Sequence, residues 1–136
     1  MIKSFLFDTH ILIWSIFDDE RLSSEVRYIL ENEDNGIWYS IISILEIKIK
    51  NQVRPGDINL NGESVVHFCE EMGFRQLPLT LDHVLKLGSL KRVEDAPRHK
   101  DPFDRLLICQ AIGENMFFVT HDKLLQYYQC GNILIV

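Results

Sequence analysis

Short apolar runs recur along the chain, and most of them stop at a polar residue. The first run, SFLF (Ser4–Phe7), ends at Asp8, and two later runs end at Ser40 and Thr120. Apolar runs of this length, bounded by polar residues, predict buried strands. The predicted strands lie at residues 4–7, 37–40, 75–77, 116–120 and 133–136.

Most of the intervals between these strands contain apolar residues at helical spacing. Val26, Ile29 and Leu30, for example, lie on one face of a helix, which is the pattern of a helix packed against a core. The predicted helices lie at residues 9–17, 23–34, 41–50, 63–72, 81–90, 103–114 and 123–128. Strands that alternate with helices predict an α/β domain with a parallel sheet covered on both faces.

Two segments break this alternation. Residues 54–57 contain Pro55 and Gly56 and predict a turn. Residues 91–100 are charged and contain Pro97, which predicts an irregular loop. Neither segment has the length or composition of a linker, so we expect one domain spanning residues 1–136.

Composition and charge narrow the classes of function. The net charge is −6, whereas a nucleic-acid-binding protein usually carries a basic face. The three cysteines are odd in number and widely spaced, which predicts buried thiols in a cytosolic protein and argues against a disulfide framework or zinc site. The longest apolar run, residues 37–45, is too short to span a membrane, so we expect a protein that is neither inserted nor secreted.

Four acids fall where a parallel sheet binds ligands. Asp8 ends the first predicted strand, Asp122 follows the fourth, and Asp104 lies in the first turn of the helix that leads into the fourth. Ligands of open parallel sheets bind beyond the carboxyl ends of the strands. Glu46 lies on the flank of an apolar helix stripe, where an unpaired carboxylate is costly. We therefore expect these acids to converge.

Each acid also has a structural interpretation. Asp101, Pro102 and Asp104 fit the cap, first and third positions of a helix, where capping contributes roughly 1 kcal/mol. The other structural interpretations are two helix caps and one exposed i,i+4 ion pair, at Asp8, at Asp122, and between Glu46 and Lys50.

Convergence of the acids would require a cation or protons. Two carboxylates 4 Å apart in a medium of effective dielectric near 20 repel by about 4 kcal/mol. A cluster of oxygen ligands suits Mg²⁺ or Mn²⁺. Such ions activate water and stabilise developing charge in phosphodiester hydrolysis, so an acidic protein can still act on a nucleic acid.

Four segments of the chain resemble the PIN-domain family, and more closely its VapC-type toxins of bacterial toxin-antitoxin pairs. The segments are FLFDTHILIW, SIISILEIKIK, HKDPFDRLLICQA and FFVTHD, which begin at residues 5, 40, 99 and 117. The resemblance covers essentially the whole chain and implies a three-layer α/β/α sandwich with about five short parallel strands. The residues matching the family's catalytic metal site are Asp8, Glu46, Asp104 and Asp122.

The resemblance also implies supporting residues, partners and an activity. Thr120 matches a family hydroxyl that orders the last loop or positions a metal-bound water, and Asp101 is expected to cap its helix. The implied activity is a metal-dependent endoribonuclease that uses Mg²⁺ or Mn²⁺ and acts as a toxin. The implied partners are an RNA substrate, a VapB-like antitoxin that occludes the acidic cleft, and a second copy in a homodimer, all in the cytoplasm.

Basic residues near the acids are candidate RNA contacts, with solvated surface as their alternative role. They are Arg98, Lys100, Arg105 and Lys50. His121, next to Asp122, is a candidate proton shuttle above the phosphate.

Two other classes of function stay open at the level of sequence. One is a PIN fold without activity that serves as an interaction module. The other is a phosphoacceptor or phosphatase-like α/β domain, since Asp8 ends the first strand. The dehalogenase pattern, however, needs a second Asp where this chain has His10.

Overall fold

A computed structural model describes residues 2–136, which form one five-stranded parallel sheet. The strand order is β3-β2-β1-β4-β5, and every neighbouring pair is parallel. The strands are β1 (Ser4–Phe7), β2 (Gly36–Ser40), β3 (Arg75–Leu77), β4 (Phe117–Thr120) and β5 (Ile133–Ile135). The predicted parallel sheet of five short strands is confirmed.

Six α-helices and two 3₁₀ helices connect the strands within residues 2–136. The 3₁₀ helices are Lys86–Ser89 and Lys123–Tyr127. The α-helices are α1 (Thr9–Phe17), α2 (Ser24–Glu31), α3 (Ile41–Val53), α4 (Gly62–Glu71), α5 (Leu81–Leu85) and α6 (Pro102–Gly113). None of the helices in this described part of the chain has the length and apolar character needed to cross a membrane.

Two predicted helices differ from the structure. The helix expected at residues 81–90 is α-helical only to Leu85 and then tightens into a 3₁₀ helix. Gly88 and Ser89 in that last turn have weaker helix propensity than the residues before them. The helix expected at residues 123–128 is a 3₁₀ helix of five residues, a short form that is common in connecting segments.

Alternate side chains of the strands face two separate apolar clusters. Phe5 and Phe7 lie in one cluster, which packs against α1, α2 and α4, among others. Leu6 and Phe118 lie in the other, which packs against Leu107 and the rest of α6. Successive side chains of a strand point to opposite faces, so a helical layer covers each face. The predicted three-layer α/β/α sandwich is confirmed.

The order of the strands places a switch point between β1 and β4. The chain builds β2 and β3 on one side of β1, and then β4 and β5 on the other. Asp8 N donates to Val119 O at 2.9 Å, which extends the pairing of the two central strands to their carboxyl ends. Ligand sites of open α/β sheets lie at such a point, so the topology brings Asp8 and Thr120 to the expected edge.

Candidate functional site

Asp8 lies at the junction of β1 and α1 and is buried, with 8% of its surface exposed. Its Oδ1 accepts a hydrogen bond from Thr9 N at 2.7 Å, and its Oδ2 accepts one from Thr120 Oγ1 at 2.6 Å. Burial raises the pKa of Asp8 above its ordinary value, and these two hydrogen bonds act in the opposite direction. Asp8 is therefore both the cap of α1 and a carboxylate held in one orientation.

Glu46 lies in the middle of α3 and is buried. Thr9 Oγ1 donates to Glu46 Oε1 at 3.0 Å and lies 2.9 Å from the Ser43 hydroxyl. Lys50 Nζ pairs with Glu46 Oε2 at 3.0 Å. The predicted i,i+4 pair is thus present, but its carboxylate is buried. Thr9 links Glu46 to the helix that Asp8 caps.

Asp101 begins α6 as the sequence predicts. Its Oδ1 accepts hydrogen bonds from Phe103 N at 2.8 Å and from Asp104 N at 3.4 Å, and Pro102 is the first helical residue. The cap satisfies backbone donors that have no partner within the helix. Asp101 therefore fixes the position of the first turn, and with it the position of Asp104.

Asp104 lies in that first turn and is buried. Its pKa is raised from 3.8 to about 8. Burial is the largest cause, and nearby carboxylates add to it. Those carboxylates are, in decreasing order of effect, Asp8, Asp101, Glu46 and Asp122. The four predicted acids are therefore close enough to interact electrostatically at the switch point.

Asp122 and Thr120 shape the loop after β4. Asp122 Oδ1 accepts from Leu124 N at 2.9 Å and caps the 3₁₀ helix that follows. Thr120 Oγ1 accepts from Asp122 N at 3.1 Å while it donates to Asp8 Oδ2. One buried hydroxyl thus joins two of the predicted acids and connects the loop after β4 to Asp8.

His99 is a site residue for which the sequence analysis predicted no part in the metal site. Its Nε2 lies 3.2 Å from Asp104 Oδ2, and its Nδ1 lies 2.8 Å from the Tyr128 hydroxyl. One ligand atom each from His99, Asp104 and Asp122 lie within 4.8 Å of one another. The signal in the sequence was the position of His99, five residues before Asp104 in the same segment.

The donor set fits a divalent cation. Three ligand atoms lie within range of one ion, and mutual repulsion of the carboxylates contributes to the raised pKa of Asp104. A cation removes that repulsion, since it favours the charged form of each acid. Carboxylate oxygens are the ligands that suit Mg²⁺ and Mn²⁺.

The candidate RNA contacts lie around the acids in different settings. Arg98 and Lys100 are exposed on both sides of His99, and Arg105 is half-buried directly after Asp104. Lys50 differs from these three because it is paired with Glu46.

His121, the candidate proton shuttle, is exposed, and its ring packs against Trp14 with centroids 5.0 Å apart.

Comparison with known families agrees with this fold. The model of the PIN domain matches residues 5–129. The chain belongs to the PIN domain family. The match includes the three segments that carry Asp8, Glu46 and Asp104, together with Asp122. Membership favours the nuclease and interaction-module hypotheses over a phosphoacceptor domain.

Solved structures of toxin-antitoxin complexes share this PIN fold. VapBC2 from Rickettsia felis, bound to a DNA fragment from their promoter, is 18% identical, with a TM-score of 0.68 over 100% of this chain and 98% of that one. VapBC-1 from nontypeable Haemophilus influenzae is 19% identical, with a TM-score of 0.60 over 93% and 92%. A toxin-antitoxin complex from Klebsiella pneumoniae is 20% identical, with a TM-score of 0.58 over 95% and 94%. Comparison with the curated proteins finds no significant match.

Proposed function

We propose that this PIN domain is a metal-dependent endoribonuclease that hydrolyses RNA phosphodiester bonds and acts as the toxin of a toxin-antitoxin pair. The main support for the proposal is the environment of the Asp104 carboxyl group. Its carboxyl group is buried, and burial together with the nearby carboxylates raises its pKa to about 8. Such an arrangement is unfavourable in an empty protein and becomes favourable around a divalent cation.

The ligands of the cation in this proposal are Asp8, Glu46, Asp104 and Asp122. A bound Mg²⁺ or Mn²⁺ supplies an activated water and offsets the charge that develops on the phosphate. The protein holds the ligands in place: Thr120 donates to Asp8 Oδ2, and Thr9 donates to Glu46 Oε1. These contacts orient the carboxylates before the substrate binds, which is the protein's share of the catalysis.

The substrate in this proposal is RNA held through its phosphates. Arg98 and Lys100 are exposed beside the acids, and Arg105 lies on the first turn of α6. Basic side chains position a nucleic-acid backbone through its phosphates. With a net charge of −6 over the chain, this local group is the favourable point of approach. Lys50 would contact RNA only while its ammonium group also pairs with Glu46.

The partner in this proposal is a VapB-like antitoxin, and the toxin is a cytoplasmic homodimer. Support for the antitoxin partner comes from the similar solved structures, which are VapBC and toxin-antitoxin complexes. The acidic site would accept an arginine of the antitoxin, because guanidinium groups bind carboxylates in bidentate pairs. A small open reading frame directly upstream, whose product co-purifies with the chain and suppresses cleavage, is the expected finding.

The experiment is cleavage of labelled total RNA by purified, partner-free protein in Mn²⁺. Wild type is compared with Asp104→Asn and with Asp34→Asn, which makes the same change at an exposed acid before β2. We expect discrete products from wild type and Asp34→Asn, and loss of those products in EDTA or with Asp104→Asn.

Equal cleavage by wild type and Asp104→Asn would show that the activity is a contaminant. An absence of cleavage in every sample would favour the interaction module without activity.

A further inference from the structure

Two segments far apart in sequence hold His99 in place. The loop before α6 is bound to the end of the chain by backbone hydrogen bonds, since Val93 N donates to Tyr127 O at 2.9 Å and Gln129 N donates to Lys91 O at 2.8 Å. Tyr128 is 5% exposed. Its ring packs edge-on against the imidazole of His99, with centroids 5.6 Å apart and an interplanar angle of 88°.

The imidazole of His99 is a bridge between a phenol and a carboxylate. Nδ1 lies 2.8 Å from the Tyr128 hydroxyl, and Nε2 lies 3.2 Å from Asp104 Oδ2. The His99 side chain is only 4% exposed. Little water reaches the ring, so both ring nitrogens depend on these two protein partners for hydrogen bonds.

The chemistry of the three groups determines which atom donates each of the two hydrogen bonds. An ionised Asp104, the form that can hold a cation, only accepts hydrogen bonds. Nε2 therefore carries the hydrogen and donates to Asp104 Oδ2. In the neutral ring Nδ1 is then an acceptor, and the Tyr128 hydroxyl donates to it.

We propose that Tyr128 and His99 form a positioning relay that orients the Asp104 carboxylate toward the metal. The inference rests on the metal site proposed above. His99 contacts Oδ2, Asp101 fixes the helical turn that carries Asp104, and Oδ1 would remain available to the ion. Partners behind a metal ligand typically change metal affinity by about 10- to 100-fold when they are removed.

The alternative role of His99 is direct ligation, because one of its ring nitrogens is also within 4.8 Å of a carboxylate oxygen of Asp122. Tyr128 distinguishes the two roles. In a relay, the phenol sets the hydrogen on the ring and hence the donor to Asp104, so its hydroxyl contributes to metal affinity. The shorter contact, from Nε2 to Asp104 at hydrogen-bonding distance, favours the relay.

The test is Mn²⁺ affinity of the full chain, measured by electron paramagnetic resonance without RNA. The variants are Tyr128→Phe, His99→Gln, His99→Leu and the double variant Tyr128→Phe/His99→Gln, with Asp104→Asn as the reference for loss of a ligand. Tyr127→Phe removes a hydroxyl from the neighbouring, half-buried tyrosine and is the matched control. Melting temperature is recorded for each variant, because a change in affinity without a change in melting temperature is not a folding effect.

We expect His99→Leu to weaken Mn²⁺ binding by about 10-fold or more. The amide of His99→Gln can still donate to Asp104, so this variant should bind more tightly than His99→Leu. Tyr128→Phe should weaken binding severalfold while Tyr127→Phe leaves it unchanged. The double variant should bind no more weakly than His99→Gln, because the hydroxyl acts only through the imidazole.

Three results would show whether the relay or the proposed metal site is wrong. If wild type binds Mn²⁺, Asp104→Asn does not, and Tyr128→Phe equals Tyr127→Phe, the relay is wrong and the metal site stands. If both His99 variants lose binding as fully as Asp104→Asn while Tyr128→Phe retains it, His99 is a direct ligand and the relay is again wrong. If wild type binds no Mn²⁺, the proposed function fails first.

Discussion

Glu46 and Asp104 are buried carboxylates on helices that flank the same switch point, and their surroundings differ. Glu46 has a cation and a hydroxyl within hydrogen-bonding distance, from Lys50 and Thr9. Asp104 has the imidazole of His99 and a group of other carboxylates. The α3 side of the site therefore carries its own counter-charge, whereas within residues 2–136 the contacts of Asp104 include no Lys or Arg.

This difference indicates where the protein needs an ion. Burial of an unpaired charge is unfavourable unless its pKa shifts or a partner neutralises it. Asp104 shows the shift, with a pKa raised to about 8, and Lys50 is the partner of Glu46. A bound divalent cation would therefore stabilise the α6 side more than the α3 side. Loss of Asp104 and loss of Glu46 should accordingly differ in their effect on activity.

The largest expected effect is on RNA cleavage. Asp104→Asn should lower kcat/KM in Mn²⁺ by on the order of 100-fold or more, because it removes the carboxylate that depends most on a bound cation for its charge to be neutralised. Glu46→Gln should lower it less, since Lys50 is then left as a positive charge beside the substrate. Single-turnover cleavage of one labelled RNA measures both. A larger loss in Glu46→Gln would reverse the comparison.

The second prediction concerns stability and pH without metal. The pKa of Asp104 is raised from 3.8 to about 8, so between those values the folded state binds more protons than the unfolded state. The free energy of unfolding of wild type therefore falls as pH rises through this range. Asp104→Asn lacks this decline and should exceed wild type by a few kcal/mol at about pH 8 and by little near pH 4.

Urea unfolding in EDTA at several pH values measures this difference. Asp34→Asn, at an exposed acid, is the control for the loss of a negative charge. Added Mn²⁺ should stabilise wild type at pH 8 and leave Asp104→Asn nearly unchanged. A gain that is the same at every pH would mean that Asp104 is ionised in the empty protein.

The third prediction concerns the counter-charge of the α3 side. Lys50→Met should lower the free energy of unfolding by about 1 to 2 kcal/mol at neutral pH, because Glu46 stays buried without its cation. Lys48→Met is the matched control, since Lys48 pairs with exposed Glu63 on the surface. That change should cost less than about 0.5 kcal/mol. Equal effects would show that Glu46 does not need Lys50.

The sequence predicted the elements and the converging acids for identifiable reasons. Periodicity records which face of an element is buried, and a strand predicted at residues 75–77 is β3 (Arg75–Leu77). The rule for parallel sheets then placed Asp8 and Asp122 at one edge. Both arguments use local pattern and topology, and neither needs the position of an individual side-chain atom.

The sequence did not predict contacts between side chains that are far apart in the chain. His99 and Tyr128 are 29 residues apart, and Thr9 and Glu46 are 37 apart. Such pairs depend on how helices and loops pack around the end of the sheet, which hydrophobic periodicity does not encode. The burial of Glu46 likewise depends on how other elements pack around α3. For that reason the Glu46–Lys50 pair was expected to be exposed, and Lys50 was selected as an RNA contact.

The smallest effect is expected at Asp101, which supports the α6 side without taking part in the proposed metal site. Asp101→Ala removes the acceptor for Phe103 N and Asp104 N and should lower the free energy of unfolding by about 1 kcal/mol. It also removes one of the charges that raise the pKa of Asp104. Asp101→Asn keeps a capping oxygen but not the charge. If Mn²⁺ affinity falls in Asp101→Ala and not in Asp101→Asn, the position of the first turn matters to the site; if it falls equally in both, the charge of Asp101 contributes directly.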